Sequence, residues 1–156
     1  MENLHDERNS FWRQSNGKCD FVWRVPVKSG QKNYFKSVKF MINGIDYDVF
    51  IRCIPQQNKP WNHAIYLRRH ARSSKDVVIR FSFCVLDEGG DSVESTRLEY
   101  ERVWETKKGY GWGWDEFVSL SSSFVDDLLD SDGNLSIAVS VNVLKDDQPR
   151  ELQCQT

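Results

Sequence analysis

Residues 136–143, SIAVSVNV, alternate without a break: Ile137, Val139, Val141 and Val143 on one side, Ser136, Ala138, Ser140 and Asn142 on the other. Successive side chains of an extended strand point to opposite faces, so this period of two predicts a strand with one buried and one wetter face. The pattern recurs. DFVWRVP alternates through Phe21, Trp23 and Val25 until Pro26 closes it. SVKFMI alternates through Val38, Phe40 and Ile42 and runs into Asn43-Gly44, a strong hairpin signal. IDYDVFIRCIP places Tyr47, Val49, Ile51 and Cys53 on one face, and HAIYLRRH, DVVIRFSFCVL and RLEYERVW read as further strands. A chain so patterned must close its apolar faces on one another. Seven or eight strands with turn signals between them predict an all-β, antiparallel β-sandwich, with Trp23, Phe40 and Phe83 in its core.

One stretch departs from this pattern. In SSSFVDDLLDSDG, Phe124 and Leu128 stand four residues apart, as do Val125 and Leu129. Ser123 precedes Asp126 by a capping-box-like spacing, and Asp132-Gly133 supplies a stop, so one short helix is expected. Residues 1–18 are polar and loosely patterned apart from Phe11-Trp12, which sets the sandwich at 19–144 and leaves 145–156 as a tail or linker.

Bulk properties narrow the function. The 156 residues suffice for one domain with a real core. Twenty-one basic and 23 acidic side chains give a net charge of −2, which lacks the positive field that nucleic acid or an anionic membrane requires. The start, MENLHDERNS, has no apolar signal-peptide segment, so a cytoplasmic or nuclear protein with reduced thiols is expected. Cys19, Cys53, Cys84 and Cys154 show no CxxC spacing, and His5, His63 and His70 do not cluster with them; no metal or cofactor is expected. Ser121–Ser123 lack a nucleophile motif, no phosphate-binding glycine loop occurs, and the carboxylates of 126–132 fit helix ends and turns. The chain is not expected to be an enzyme.

The stretch with most to say about binding is GYGWGWDEF, residues 109–117. If it is extended, Trp112 and Trp114 share a face, and the neighbouring glycines let another backbone approach. Two readings follow: a binding platform, or a core plug beside a bulge. LRRHARSSK, with Arg68, Arg69, Arg72 and Lys75, reads as a solvated strand end whose functional alternative is contact with acidic or phosphorylated peptide flanks.

The F-x-W strand at Phe21 and Trp23, the Trp112-Gly113-Trp114 segment with Phe117, and FVDDLLDSDGNLSIAVSVNV occur in the order seen in the MATH (meprin and TRAF homology) domain. The chain resembles that family over about residues 20–144, and is most similar in pattern to the speckle-type POZ protein group of MATH-BTB adaptors. The resemblance implies an eight-stranded sandwich that binds short linear peptide motifs in a shallow groove. It also implies a role as substrate-recognition part of a cullin-3 ubiquitin ligase, reached through a BTB domain that this chain lacks. Carried over by position, the groove residues are Trp112, Gly113, Trp114 and Phe81, then Trp104 or Tyr100, with Asn62 near a further groove position. Tyr110-Gly111 stands where that group has Lys-Asp, so an acceptor for ligand hydroxyls is missing and weak Ser/Thr selection is expected. The alternatives are the MATH module of a deubiquitinase or a TRAF-type signalling protein, and a lectin-like sandwich whose tryptophans stack on sugars. The isolated domain is expected to be monomeric.

Overall fold

The computed structural model describes residues 9–26, 34–54, 62–70, 76–104, 111–118 and 127–146; of 9–12, 53–54, 62–63, 104, 111–118 and 145–146 it describes the backbone alone. These residues form ten strands: β1 (Asn9–Ser15), β2 (Lys18–Val25), β3 (Tyr34–Lys36), β4 (Phe40–Ile42), β5 (Ile45–Ile54), β6 (Asn62–Arg69), β7 (Val77–Leu86), β8 (Leu98–Trp104), β9 (Gly111–Val118) and β10 (Leu135–Asp146). Every ladder is antiparallel. One sheet runs β1-β2-β10-β7-β8. The other runs β3-β5-β6-β9, with β4 also on β5. The fold is an all-β antiparallel sandwich.

Alternation decides what each sheet buries. Cys19, Phe21, Trp23 and Val25 of β2 are buried, as are Ile137, Val139, Val141 and Val143 of β10 and Ile79, Phe81, Phe83 and Val85 of β7. From the second sheet, Phe40, Ile42, Tyr47, Val49, Ile51, Ile65 and Leu67 join them in one core. Full burial of each such aliphatic or aromatic side chain contributes about 1.5–3 kcal/mol, so the alternating residues carry the fold. The Phe21 and Phe40 rings meet across the sandwich with centroids 5.2 Å apart.

The hairpin between β4 and β5 forms as expected. Asn43 and Gly44 both take positive φ, 51° and 83°, the pair a type I′ turn needs. An edge strand is split in two by Ser37. Its N–H donates to the Val49 carbonyl at 2.8 Å, while its hydroxyl accepts from the Val49 N–H at 2.8 Å. The side chain thus replaces a ladder bond, and β3 and β4 pair with different parts of β5.

Two boundaries move outward from the sequence expectation. Residues 9–15, assigned to a polar segment outside the sandwich, form edge strand β1 on β2. The final strand passes 144 and ends at Asp146. β1 and the split edge account for ten strands where eight were expected. Of the expected helix, Asp127 and Leu128 are helical and Leu128 is buried; Ser123–Asp126 lie outside the described residues. Among the described residues no helix is long and apolar enough to cross a membrane.

Candidate functional site

The glycine–tryptophan stretch is β9, the end strand of its sheet, paired among the described residues with β6 alone. Register partners in an antiparallel ladder share a face. Trp112 stands opposite Leu67 and Trp114 opposite Ile65, and both partners are fully buried. The two tryptophans therefore occupy core-face positions. Gly111 stands opposite Arg68 and Gly113 opposite Tyr66, on the outer face. The ladder then slips: Ile65 pairs with Trp114 but His63 pairs with Val118, so β9 carries four steps against two of β6. That irregularity is a bulge in WDEFV, a device common at sheet edges and binding sites.

Strand β8 is the matching end of the other sheet. Residues 105–110 separate it from β9 in sequence. The two sheets meet where β2 packs on β4, and Gln14 of β1 donates its amide to the Met41 carbonyl of β4. Tyr100, Arg102 and Trp104 stand opposite Phe81, Ile79 and Val77, which are core residues, so all three share the core face of β8. The Arg102 guanidinium lies 4.4 Å from the Tyr100 ring centroid and donates to the Tyr100 hydroxyl at 2.6 Å. A cation is thus held on β8 by an aromatic ring.

The expected site residues do not all converge. Trp112 and Trp114 belong to core-face positions of β9, and Tyr100 and Trp104 to core-face positions of β8. Gly111 and Gly113 lie on the outer face of β9, and Asn62 lies on that same face at the start of β6, opposite Ile54. Phe81 is 1% exposed, with its ring packed edge-on against Phe83 and Tyr100 at 5.7 Å each. It is a core residue. Tyr110 lies outside the described residues. The arginines of LRRH are not a solvated end. Arg69 is 3% exposed, opposite Tyr47, and its pKa is lowered, chiefly by burial, against the opposing pull of Tyr47 and Asp76. Arg68 is engaged by Asp48; Arg72 and Lys75 lie outside the described residues.

A charged cluster on the outer face of the second sheet went unforeseen. Asp48 is 3% exposed, and Arg68 grips it through a fork, Nε to Oδ1 at 2.8 Å and Nη2 to Oδ2 at 2.7 Å. His70 Nε2 stands 3.0 Å from the same Oδ2. The Arg68 guanidinium also lies 4.6 Å from the Phe50 ring centroid, and Phe50 stacks on Tyr34 at 5.6 Å. The signal was distributed: Asp48 and Arg68 are distant in sequence and become neighbours only in the β5–β6 register.

The remaining chemistry is quiet. Burial, and then the neighbouring Asp20, push the Cys19 thiol up to about 12. Cys84 is buried, with its sulfur 3.8 Å from the Thr96 hydroxyl. Among the described residues no group of three or more His, Cys, Asp or Glu could hold a metal ion. No family model matches the sequence, and no curated protein matches it. The likeness to the MATH domain stays a resemblance carried by the residues quoted above.

Proposed function

We propose that this chain is a peptide-recognition module that takes a short linear segment of a partner protein, in extended form, along the open edge of β9. The observation that carries this reading is the position of β9, the end strand of its sheet, paired among the described residues with β6 alone. An end strand presents unpaired backbone donors and acceptors, and an added strand pairs with them without needing a particular side chain. Selectivity then comes from alternate side chains of the ligand. One set turns toward the core-face positions of Trp112 and Trp114; the other lies beside Gly111 and Gly113, which carry no side chain of their own.

The resemblance extends the proposal. On it, the chain is the substrate-recognition part of a cullin-3 ubiquitin-ligase adaptor in the cytoplasm or nucleus, the ligase being reached through a BTB domain outside this chain. The reading assigns no catalytic step to the sandwich. Tyr110-Gly111 removes the acceptor that similar adaptors place beside the tryptophan, so ligands with bulky apolar anchors are favoured over Ser/Thr-rich ones. A charge-assisted hydrogen bond of that kind contributes about 1.5–3 kcal/mol.

The test is a peptide array probed with the whole chain, in parallel with a glycan array. Selection of a common linear motif with an apolar anchor supports the proposal. Glycan binding without any peptide binding replaces it with a lectin-like function.

A further inference from the structure

Several basic side chains are matched to a carboxylate, Arg68 to Asp48 on the second sheet among them. On the first sheet and its loops each of four is matched to a carboxylate: Lys18 to Asp20 at 3.6 Å, Arg24 to Asp130 at 3.1 Å, Arg80 to Glu101 at 2.8 Å and Arg97 to Glu94 at 2.8 Å. On the second sheet Lys36, Lys39 and Arg52 are exposed and make no ion pair among the described residues. The register gathers them. Tyr34 stands opposite Arg52 and Lys36 opposite Phe50, with Lys39 in the break before β4. Two of the four large apolar side chains exposed among the described residues lie on the same edge, Tyr34 at 50% and Met41 at 53%. Of the nearby acids, Asp48 is already gripped by Arg68, and Asp46 stands at the Met41 end, opposite that residue.

We propose that the β3–β4 edge is a second docking surface, which takes an extended acidic peptide segment with its carboxylates against Lys36, Lys39 and Arg52 and an apolar side chain against Tyr34. Unmatched cations beside half-exposed apolar side chains are complementary to such a segment in charge and in surface. The backbone adds to this, because β3 pairs among the described residues with β5 alone and leaves its other edge to a ligand strand. Nucleic acid fits less well. The Phe50 ring is engaged by both Tyr34 and Arg68, which leaves no run of open rings for successive bases. The surface lies across the sheet from β9, so two partners can be held at once.

The probe is a fluorescein-labelled nine-residue peptide of alternating Glu and Val with one central Phe, followed by polarisation with the whole chain. The expected result is saturable binding that weakens severalfold between 50 and 300 mM salt, as exposed charge pairs are screened over about 8–10 Å. The double substitution Lys36→Glu with Arg52→Glu should weaken it roughly tenfold or more. Tyr34→Ser should weaken it further, with a thermal melt lowered by only a few degrees by loss of the stack on Phe50. Should the charge-reversed protein fail to fold, Lys36→Gln with Arg52→Gln replaces it and should weaken binding severalfold. Ligands found for the β9 edge should bind the charge-reversed protein normally, which separates a failure here from a failure of that reading. No binding, binding indifferent to these substitutions, or tighter binding of a labelled oligo-dT through the same residues would overturn the proposal.

Discussion

Replacing Asp48 with asparagine keeps the shape of a buried carboxylate of the second sheet and removes its charge. The wild-type group accepts two bonds from the Arg68 fork and lies 3.0 Å from His70 Nε2. In the variant one amide end still accepts, but the NH2 end meets a guanidinium N–H donor to donor. A hydrogen bond to a charged group contributes about 1.5–3 kcal/mol, and breaking a fully buried ion pair costs about 3–5 kcal/mol. The Arg68 and His70 side chains are more than a quarter exposed and regain water, so the lower end applies: about 2 kcal/mol. For a chain of this length that lowers Tm by about 4–8 °C. Calorimetry or urea unfolding reads it directly. A double-mutant cycle with Arg68→Met, which keeps the stem near Phe50, should return a coupling of about 1–2 kcal/mol. A Tm within a degree of wild type, with coupling near zero, would refute the view that this cluster fastens β5 to β6.

Phe81→Ala should cost about 3–5 kcal/mol of folding stability, measured by denaturant titration; intact stability with lost peptide binding would instead make Phe81 a ligand contact. The Asp130 carboxylate accepts from the Asn134 and Asp132 N–H groups at 2.9 Å each and pairs with Arg24, and its pKa is lowered, first by the Asn134 bond and then by Arg24. A depressed folded pKa gives stability that is present above the unfolded value, about 3.9, and is lost as pH falls below it. Melts at pH 5 and pH 3 should therefore converge in Asp130→Ala relative to wild type. Cys19 and Cys84 should resist a thiol reagent in the native protein and react on unfolding; fast native labelling of either would contradict its burial.

What could be read in advance was periodic. Strands β2 and β10 alternate without a break and their buried sets match it where side chains are described; β5 and β7 follow the same alternation except at Asp48 and Cys84, which are buried as well. β1 lacks alternation: NSFWRQS is mostly polar because an end strand needs little burial. The turn from β1 to β2 runs through Asn16-Gly17, where Gly17 takes a φ of 77°. For Trp112 and Trp114 a period of two predicts a shared face but not which face; that awaited pairing with Leu67 and Ile65. A bulge was one of the two readings of the glycine–tryptophan stretch, but its position between Trp114 and Val118 is a property of the pair of strands and is not set by GWGWDEFV alone. Asp48 sits in an outer-face position like any solvated aspartate, and only the register beside Arg68 makes it a buried ion pair.

The central claim is that a ligand pairs with the edge of β9 that no described strand occupies. An N-methyl scan of a selected peptide tests it most directly, because each methyl removes one backbone donor and leaves every side chain in place. Antiparallel or parallel pairing along an edge uses alternate residues of the added strand. The account predicts that binding to the whole chain falls roughly tenfold or more for methyl groups at alternate positions, and hardly changes at those between. Uniform tolerance of N-methylation, or losses without alternation, would contradict it.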